Sequence, residues 1–175
     1  MTKEQLGIEI YKAAYLRGEF LLRSGIISNE YFDKYQFESS PDLIEEIAKQ
    51  ISENIPTTYD LLGGLEMGGI PIATALSLVT RDKVIFIRKE AKKYGTAKLA
   101  EGPDFKGKKI LLVEDVVTSG GQIIISAEEI RRMGGIITHA VCVIDREQGG
   151  SEKLLEAGIE LIPLLTMSEI KSWIV

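Results

Sequence analysis

The run Glu114-Asp115-Val116-Val117-Thr118-Ser119-Gly120-Gly121 places a pair of carboxylates directly ahead of a pair of hydroxyls and a pair of glycines. Hydroxyls and backbone N–H groups with no Cβ in front of them suit an anion, and a helix starting just after them would aim its positive end at the same point. Carboxylates repel a phosphate at contact distance, so Glu114 and Asp115 must face something else: sugar hydroxyls, a metal ion or a developing positive charge. A ligand carrying both ribose and phosphate satisfies both halves. The plainer alternative is a strand-to-turn junction whose acids face water.

The elements needed to position these groups are legible around them. Ile110-Leu111-Leu112-Val113 is unbroken in polarity and too short for a helix, which predicts a strand covered on both faces. A loop at the carboxyl end of such a strand is where open α/β sheets bind ligands. Further strands are expected over 59–62, 84–87, 136–144 and 159–164, and helices over 5–16, 70–78, 122–132 and 151–157, with a short helix at the end. The strongest helix signal starts at Ser40, with Pro41 at the first helical position and Leu43, Ile44, Ile47, Ala48 and Ile51 on one face. Phe20-Leu21-Leu22 and Tyr31-Phe32 read as extended pieces around a Ser24-Gly25 turn. This alternation predicts an α/β fold, a parallel sheet with helices on both faces, as one unit over 1–175 whose first 40 or so residues form a small hood.

Composition narrows the function. Hydrophobic content of 45% and charged content of 27% are those of a globular protein, and a net charge of -5 argues against nucleic-acid binding by bulk electrostatics. Met1-Thr2-Lys3-Glu4-Gln5 lacks the order of an export signal and no apolar run approaches the roughly 18 residues of a membrane span, so a cytoplasmic protein without membrane contact is expected. Cys142, the lone cysteine, reads as a buried core thiol, and the lone His139 excludes a multi-histidine metal site.

Further stretches bear on chemistry. Gly63-Gly64-Leu65-Glu66-Met67-Gly68-Gly69 reads as a loop between a strand and a helix, fit either for an oxyanion or for a plain tight turn. Arg88-Lys89-Glu90-Ala91-Lys92-Lys93-Tyr94 opens a long basic connection, either a solvated surface or a binding lid. Asp145-Arg146 follows another expected strand end, where a surface turn is the plainer reading.

The Glu114 to Gly121 run resembles the phosphoribosyl pyrophosphate (PRPP) motif of type I phosphoribosyltransferases, and the ordered set from Phe20 to Gly150 resembles the orotate phosphoribosyltransferases. The resemblance implies a type I phosphoribosyltransferase-like fold and the joining of orotate to the ribose of PRPP with release of pyrophosphate. It implies PRPP contacts from Arg88, Lys89, Lys92, Tyr94, Glu114, Asp115, Val116, Val117, Thr118, Ser119, Gly120, Gly121 and Gln122, and a pyrophosphate loop at Glu66, Met67 and Gly68. It implies orotate contacts from Arg23, Tyr31, Phe32, Thr118 and Arg146, with Asp115, Lys92 and Glu114 as the catalytic groups. Mg²⁺ would arrive with PRPP, with Glu114 and Asp115 as candidate ligands, and a homodimer would share its sites through Lys92. Tyr94 stands where the family has a histidine, Gly68 where some members have a lysine, and Gln122 where a small or hydroxyl residue is usual. Two other readings stay open: a phosphoribosyltransferase for another base, and a PRPP-sensing regulator of the same fold.

Overall fold

The computed structural model describes residues 1–21, 25–90 and 99–174. Helix α1 (Lys3–Ala14) starts in a capping box in which the Thr2 hydroxyl accepts from the Gln5 N–H and the Gln5 side chain accepts from the Thr2 N–H. It ends at Ala14, two residues before the expected end, because Tyr15 is already extended and pairs with Phe32. Strand β1 (Tyr15–Leu21) therefore includes Arg17 and Gly18, with a register shift between Arg17 and Phe20, and pairs antiparallel with β2 (Ile27–Phe32). The ring of Tyr15 stacks on Tyr11 at 4.6 Å, a contact that holds this strand against the helix before it. The turn expected at Ser24-Gly25 falls partly outside the described residues.

A short helix α2 (Tyr35–Glu38), too brief for periodicity to reveal, leads into α3 (Pro41–Ser52). Pro41 is at the first helical position as expected, but the Ser40 side chain makes no capping hydrogen bond. The chain then builds β3 (Leu61–Leu65), α4 (Gly69–Thr80), β4 (Val84–Ile87), β5 (Ala100–Glu101), β6 (Lys109–Val117), α5 (Gly121–Arg132), β7 (Ile136–Asp145), α6 (Gly150–Glu156), β8 (Glu160–Thr166) and α7 (Met167–Trp173). The sheet order is β5-β4-β3-β6-β7-β8, and every pairing is parallel except that of β5 with β4.

Alternation along β6 sorts the core into two layers. Leu111 and Val113 pack with Leu6, Ile47, Ile72 and Ile170 from α1, α3, α4 and α7. Ile110 and Leu112 pack with Ile123, Ile130 and Leu154 from α5 and α6 on the other face. The chain leaves β3 toward β4 and leaves β6 toward β7, so the strand order reverses between these two central neighbours. That reversal opens a crevice at their carboxyl ends. Cys142 is buried in the second layer, as expected. Among the described residues no helix is long and apolar enough to cross a membrane.

Two boundaries correct the sequence reading. Gly63, Gly64 and Leu65 belong to β3, not to a loop; a Cβ on Gly63 would lie 2.8 Å from Ile110 Cγ2, and one on Gly64 would lie 2.9 Å from the Ala73 Cβ. These glycines admit neighbouring side chains rather than a ligand. Strand β6 runs on through Glu114, Asp115, Val116 and Val117, because the ladder to β7 continues to the Val117–Asp145 pair. The acid pair is thus held by the sheet, and the loop starts only at Thr118.

Candidate active site

Thr118, Ser119, Gly120, Gly121 and Gln122 line a recess of about 370 Å³ together with Lys89, Glu114, Val116 and Val117. The turn into α5 needs Gly120, whose φ of 71° lies in the left-handed region that side chains disfavour. The first turn of the twelve-residue α5 therefore faces the recess with its N–H groups, an arrangement suited to an anion. The Gln122 side chain donates to Ser126 Oγ at 3.3 Å, one turn along the helix.

On the other side of β6, Asp115 is 0% exposed, and its Oδ2 accepts a hydrogen bond and ion pair from the Lys34 ammonium. Its Oδ1 accepts from the Val116 N–H, and the Asp115 N–H donates to Glu114 Oε1 at 3.0 Å. Glu38, 7% exposed, directs a buried Oε1 with no hydrogen-bond partner toward the same place. Burial, then the neighbouring Asp115, pushes the Glu38 carboxyl up to about 8. Burial followed by the Asp115 charge also raises Glu114 well above the usual carboxylate range. Burial opposes ionisation of Asp115 too, but hydrogen bonds from its acid neighbours and Lys34 outweigh it and hold this group below its ordinary value. Lys34 shows the reciprocal balance: burial acts to lower it, and the Asp115 contact raises it further. These balances favour the ionised forms of Asp115 and Lys34 and the protonated forms of Glu38 and Glu114.

The Glu66-Met67-Gly68 turn closes this cluster from above. The Glu66–Met67 peptide is cis, and Glu66 Oε2 accepts from the Lys89 N–H at 2.9 Å. Gly68 is the residue that makes the approach feasible, because a Cβ there would lie 1.5 Å from Asp115 Oδ2. Helix α4 begins at the next residue and presents its N-terminal end over the crevice.

A second recess, of about 320 Å³, lies between the hairpin and the sheet and brings Tyr31, Phe32 and Arg146 together with Tyr11, Tyr15 and Ser28. Tyr31 stacks on Phe20 at 5.5 Å. The Arg146 Nε is buried without a hydrogen-bond partner, so the guanidinium has an unused donor. The Arg146 N–H donates to Val117 O at 2.9 Å, which joins this recess to the one that starts at Thr118.

The expected site residues therefore divide. Lys89, Glu114 and the 116–122 stretch share one recess, while Tyr31, Phe32 and Arg146 share the adjoining one; Thr118 belongs to the first and not to the lining of the second. Arg88 is turned onto β5, with its Nε 3.8 Å from Glu101 Oε1. Arg23, Lys92 and Tyr94 lie outside the described residues. Lys34 and Glu38 were not legible as site residues. The one available signal was their spacing of four, which puts a cation and an acid on one side of a short helix.

The phosphoribosyl transferase domain family model matches residues 35–157. The chain is 44% identical over 165 residues to the orotate phosphoribosyltransferase of Nocardioides sp., covering 94% of this chain and 92% of the relative. It is 39% identical over 155 residues to that of Methanocaldococcus jannaschii, covering 89% and 88%. Among solved structures, orotate phosphoribosyltransferase from Aeropyrum pernix superposes with a TM-score of 0.84 at 29% identity over 97% of both chains. The Mycobacterium tuberculosis H37Rv orotate phosphoribosyltransferase in complex with PRPP shares the fold, with a TM-score of 0.81 at 22% identity over 97% of this chain and 98% of that one.

Proposed function

Since this chain belongs to the orotate phosphoribosyltransferases, within the phosphoribosyl transferase domain family, we propose that the paired recesses at the ends of β6 and β7 carry that family's reaction. The protein transfers the phosphoribosyl group of PRPP to orotate, giving orotidine 5'-monophosphate and pyrophosphate in pyrimidine biosynthesis. One observation supports this use of the site above the others: the unpartnered Arg146 donor adjoins the 118–122 anion loop through the Val117 carbonyl.

The 5'-phosphate sits on Thr118, Ser119, Gly120, Gly121 and Gln122 at the start of α5. The ribose lies over Glu114 and Asp115, whose carboxyl oxygens accept its hydroxyls, and the Asp115 charge offsets the positive charge that grows at C1 as the bond to pyrophosphate breaks. Arg146 takes the carboxylate of orotate, and Tyr31 and Phe32 flank the pyrimidine, so that its N1 faces C1. The leaving group moves toward the Glu66-Met67-Gly68 turn, the N-terminal end of α4 and the cations Arg88, Lys89 and Lys92, with Tyr94 on the same connection. Mg²⁺ arriving with PRPP would neutralise part of the diphosphate charge, and Glu114 and Asp115 would be the carboxyl groups placed to hold it alongside the substrate phosphates. Residues 1–175 act as one unit, with the β1–β2 hairpin as a hood over the pyrimidine.

Turnover of PRPP and Mg²⁺ with a panel of bases tests the assignment. Orotate is expected to give orotidine 5'-monophosphate with equal release of pyrophosphate, and a purine or uracil consumed in preference to orotate would overturn it. The active form is a homodimer in which Lys92 serves the neighbouring site, a reading supported by the length and basic character of the connection after Arg88. Mixing inactive Lys92→Ala and Asp115→Asn proteins should restore activity, because one site per heterodimer then has both residues intact. A mixture that exchanges subunits and stays inactive would contradict the shared site.

A further inference from the structure

The atom that accepts Lys34 is also the atom that Gly68 is shaped around. Asp115 Oδ2 receives the Lys34 ammonium, and a Cβ on Gly68 would strike that same oxygen. Lys34 therefore stands directly beside the turn assigned above to the leaving diphosphate. That neighbourhood already holds Asp115, Glu114 and Glu38, so a diphosphate arriving there meets carboxyl groups at close range. It needs a cation that can change partners. Lys34 can do so: its side chain is 33% exposed, its four-carbon stem is flexible, and the Tyr35 ring 5.4 Å from the ammonium offers a second resting place.

We propose that Lys34 is a shuttling diphosphate-binding residue, neutralising Asp115 in the empty cleft and passing to the diphosphate of PRPP when the ribose hydroxyls take its place. This rests on the reading of the cleft as a PRPP site. While the cleft is empty, Lys34 keeps the buried Asp115 from being an unpaired charge. Once PRPP is bound, the same ammonium serves the leaving group, so one residue couples binding of the ribose to capture of the diphosphate.

Calorimetric titration of PRPP, pyrophosphate and orotidine 5'-monophosphate, each with Mg²⁺, into wild type, Lys34→Met, Lys34→Gln and Lys34→Arg separates the possibilities. Loss of the charge in Lys34→Met and Lys34→Gln is expected to weaken PRPP and pyrophosphate on the order of tenfold, the effect of one charged hydrogen bond. Orotidine 5'-monophosphate, which has no diphosphate, should change far less, and Lys34→Arg should recover most of the loss. Lys34→Gln keeps an N–H donor for Asp115, so it reports on charge even if Lys34→Met folds poorly. If Lys34 served Asp115 alone, removing it would take away a competitor of the ribose, and folded Lys34→Gln would bind PRPP as tightly as wild type or more tightly. That result overturns the proposal. Wild type that fails to bind PRPP would instead overturn the assignment of the cleft.

Discussion

Asp115→Asn is expected to fold and to turn over PRPP and orotate on the order of 10²-fold more slowly, the usual cost of removing one positioned electrostatic contact from a transition state. Asparagine has nearly the shape of aspartate, so the wholly buried site should remain filled. What disappears is the negative charge facing the ribose as C1 becomes positive. The stability cost is bounded because Lys34, left without its counter-ion, is one-third exposed and can turn toward water. Steady-state kinetics together with thermal unfolding check both halves. Turnover near that of wild type in a well-folded Asp115→Asn protein would refute the charge role.

Gly68→Ala should be at least as damaging, for a different reason. Gly68 has φ of −70° and ψ of −29°, a conformation open to alanine, so the backbone gives no objection. The obstacle is the added methyl, 1.5 Å from Asp115 Oδ2 and 2.9 Å from Glu38 Oε1. Asp115 has no exposed surface into which it can retreat, so either the carboxylate leaves its position or the Glu66-Met67-Gly68 turn lifts away. Both outcomes separate the ribose carboxylate from the diphosphate turn. Loss of activity on the order of 10²-fold or more is expected, with PRPP affinity falling as well. Kinetics and PRPP titration of the variant would measure it, and wild-type values in both would show that the turn and Asp115 do not work as one site.

The apolar run Ile110 to Val113 revealed its strand because both faces of that strand are covered by helices, so no polar residue interrupts it. Where the strand ends was not legible: Glu114 and Asp115 look like the start of a loop, yet the ladder with β7 carries the strand four residues beyond Val113, to Val117. Gly63 and Gly64 failed for a related reason. Locally a glycine pair signals a turn, and only the packing of Ile110, Ile87 and Leu112 around Gly63 shows that a strand needs it. The 118–122 loop was legible from its hydroxyl and glycine residue types, whereas the grouping of Tyr31, Phe32 and Arg146, which share a recess, came from the family resemblance and not from local residue types, where a packed hairpin and a surface turn read equally well. Lys34 and Glu38 were not, since their meaning comes from Asp115, far away in sequence and brought to them by the sheet. Arg88, from the same basic run as Lys89, rests with its Nε 3.8 Å from Glu101 Oε1, a partner that sequence alone did not reveal.

A crystal structure with orotidine 5'-monophosphate bound tests the central claim most directly, because that one molecule must span both recesses. The phosphate is expected on the N–H groups of Thr118 to Gln122, the ribose hydroxyls on Asp115 with Lys34 displaced from it, and the pyrimidine carboxylate on Arg146 between Tyr31 and Phe32. A nucleotide bound elsewhere, or one whose carboxylate leaves Arg146 unpartnered while Lys34 stays on Asp115, would contradict the account.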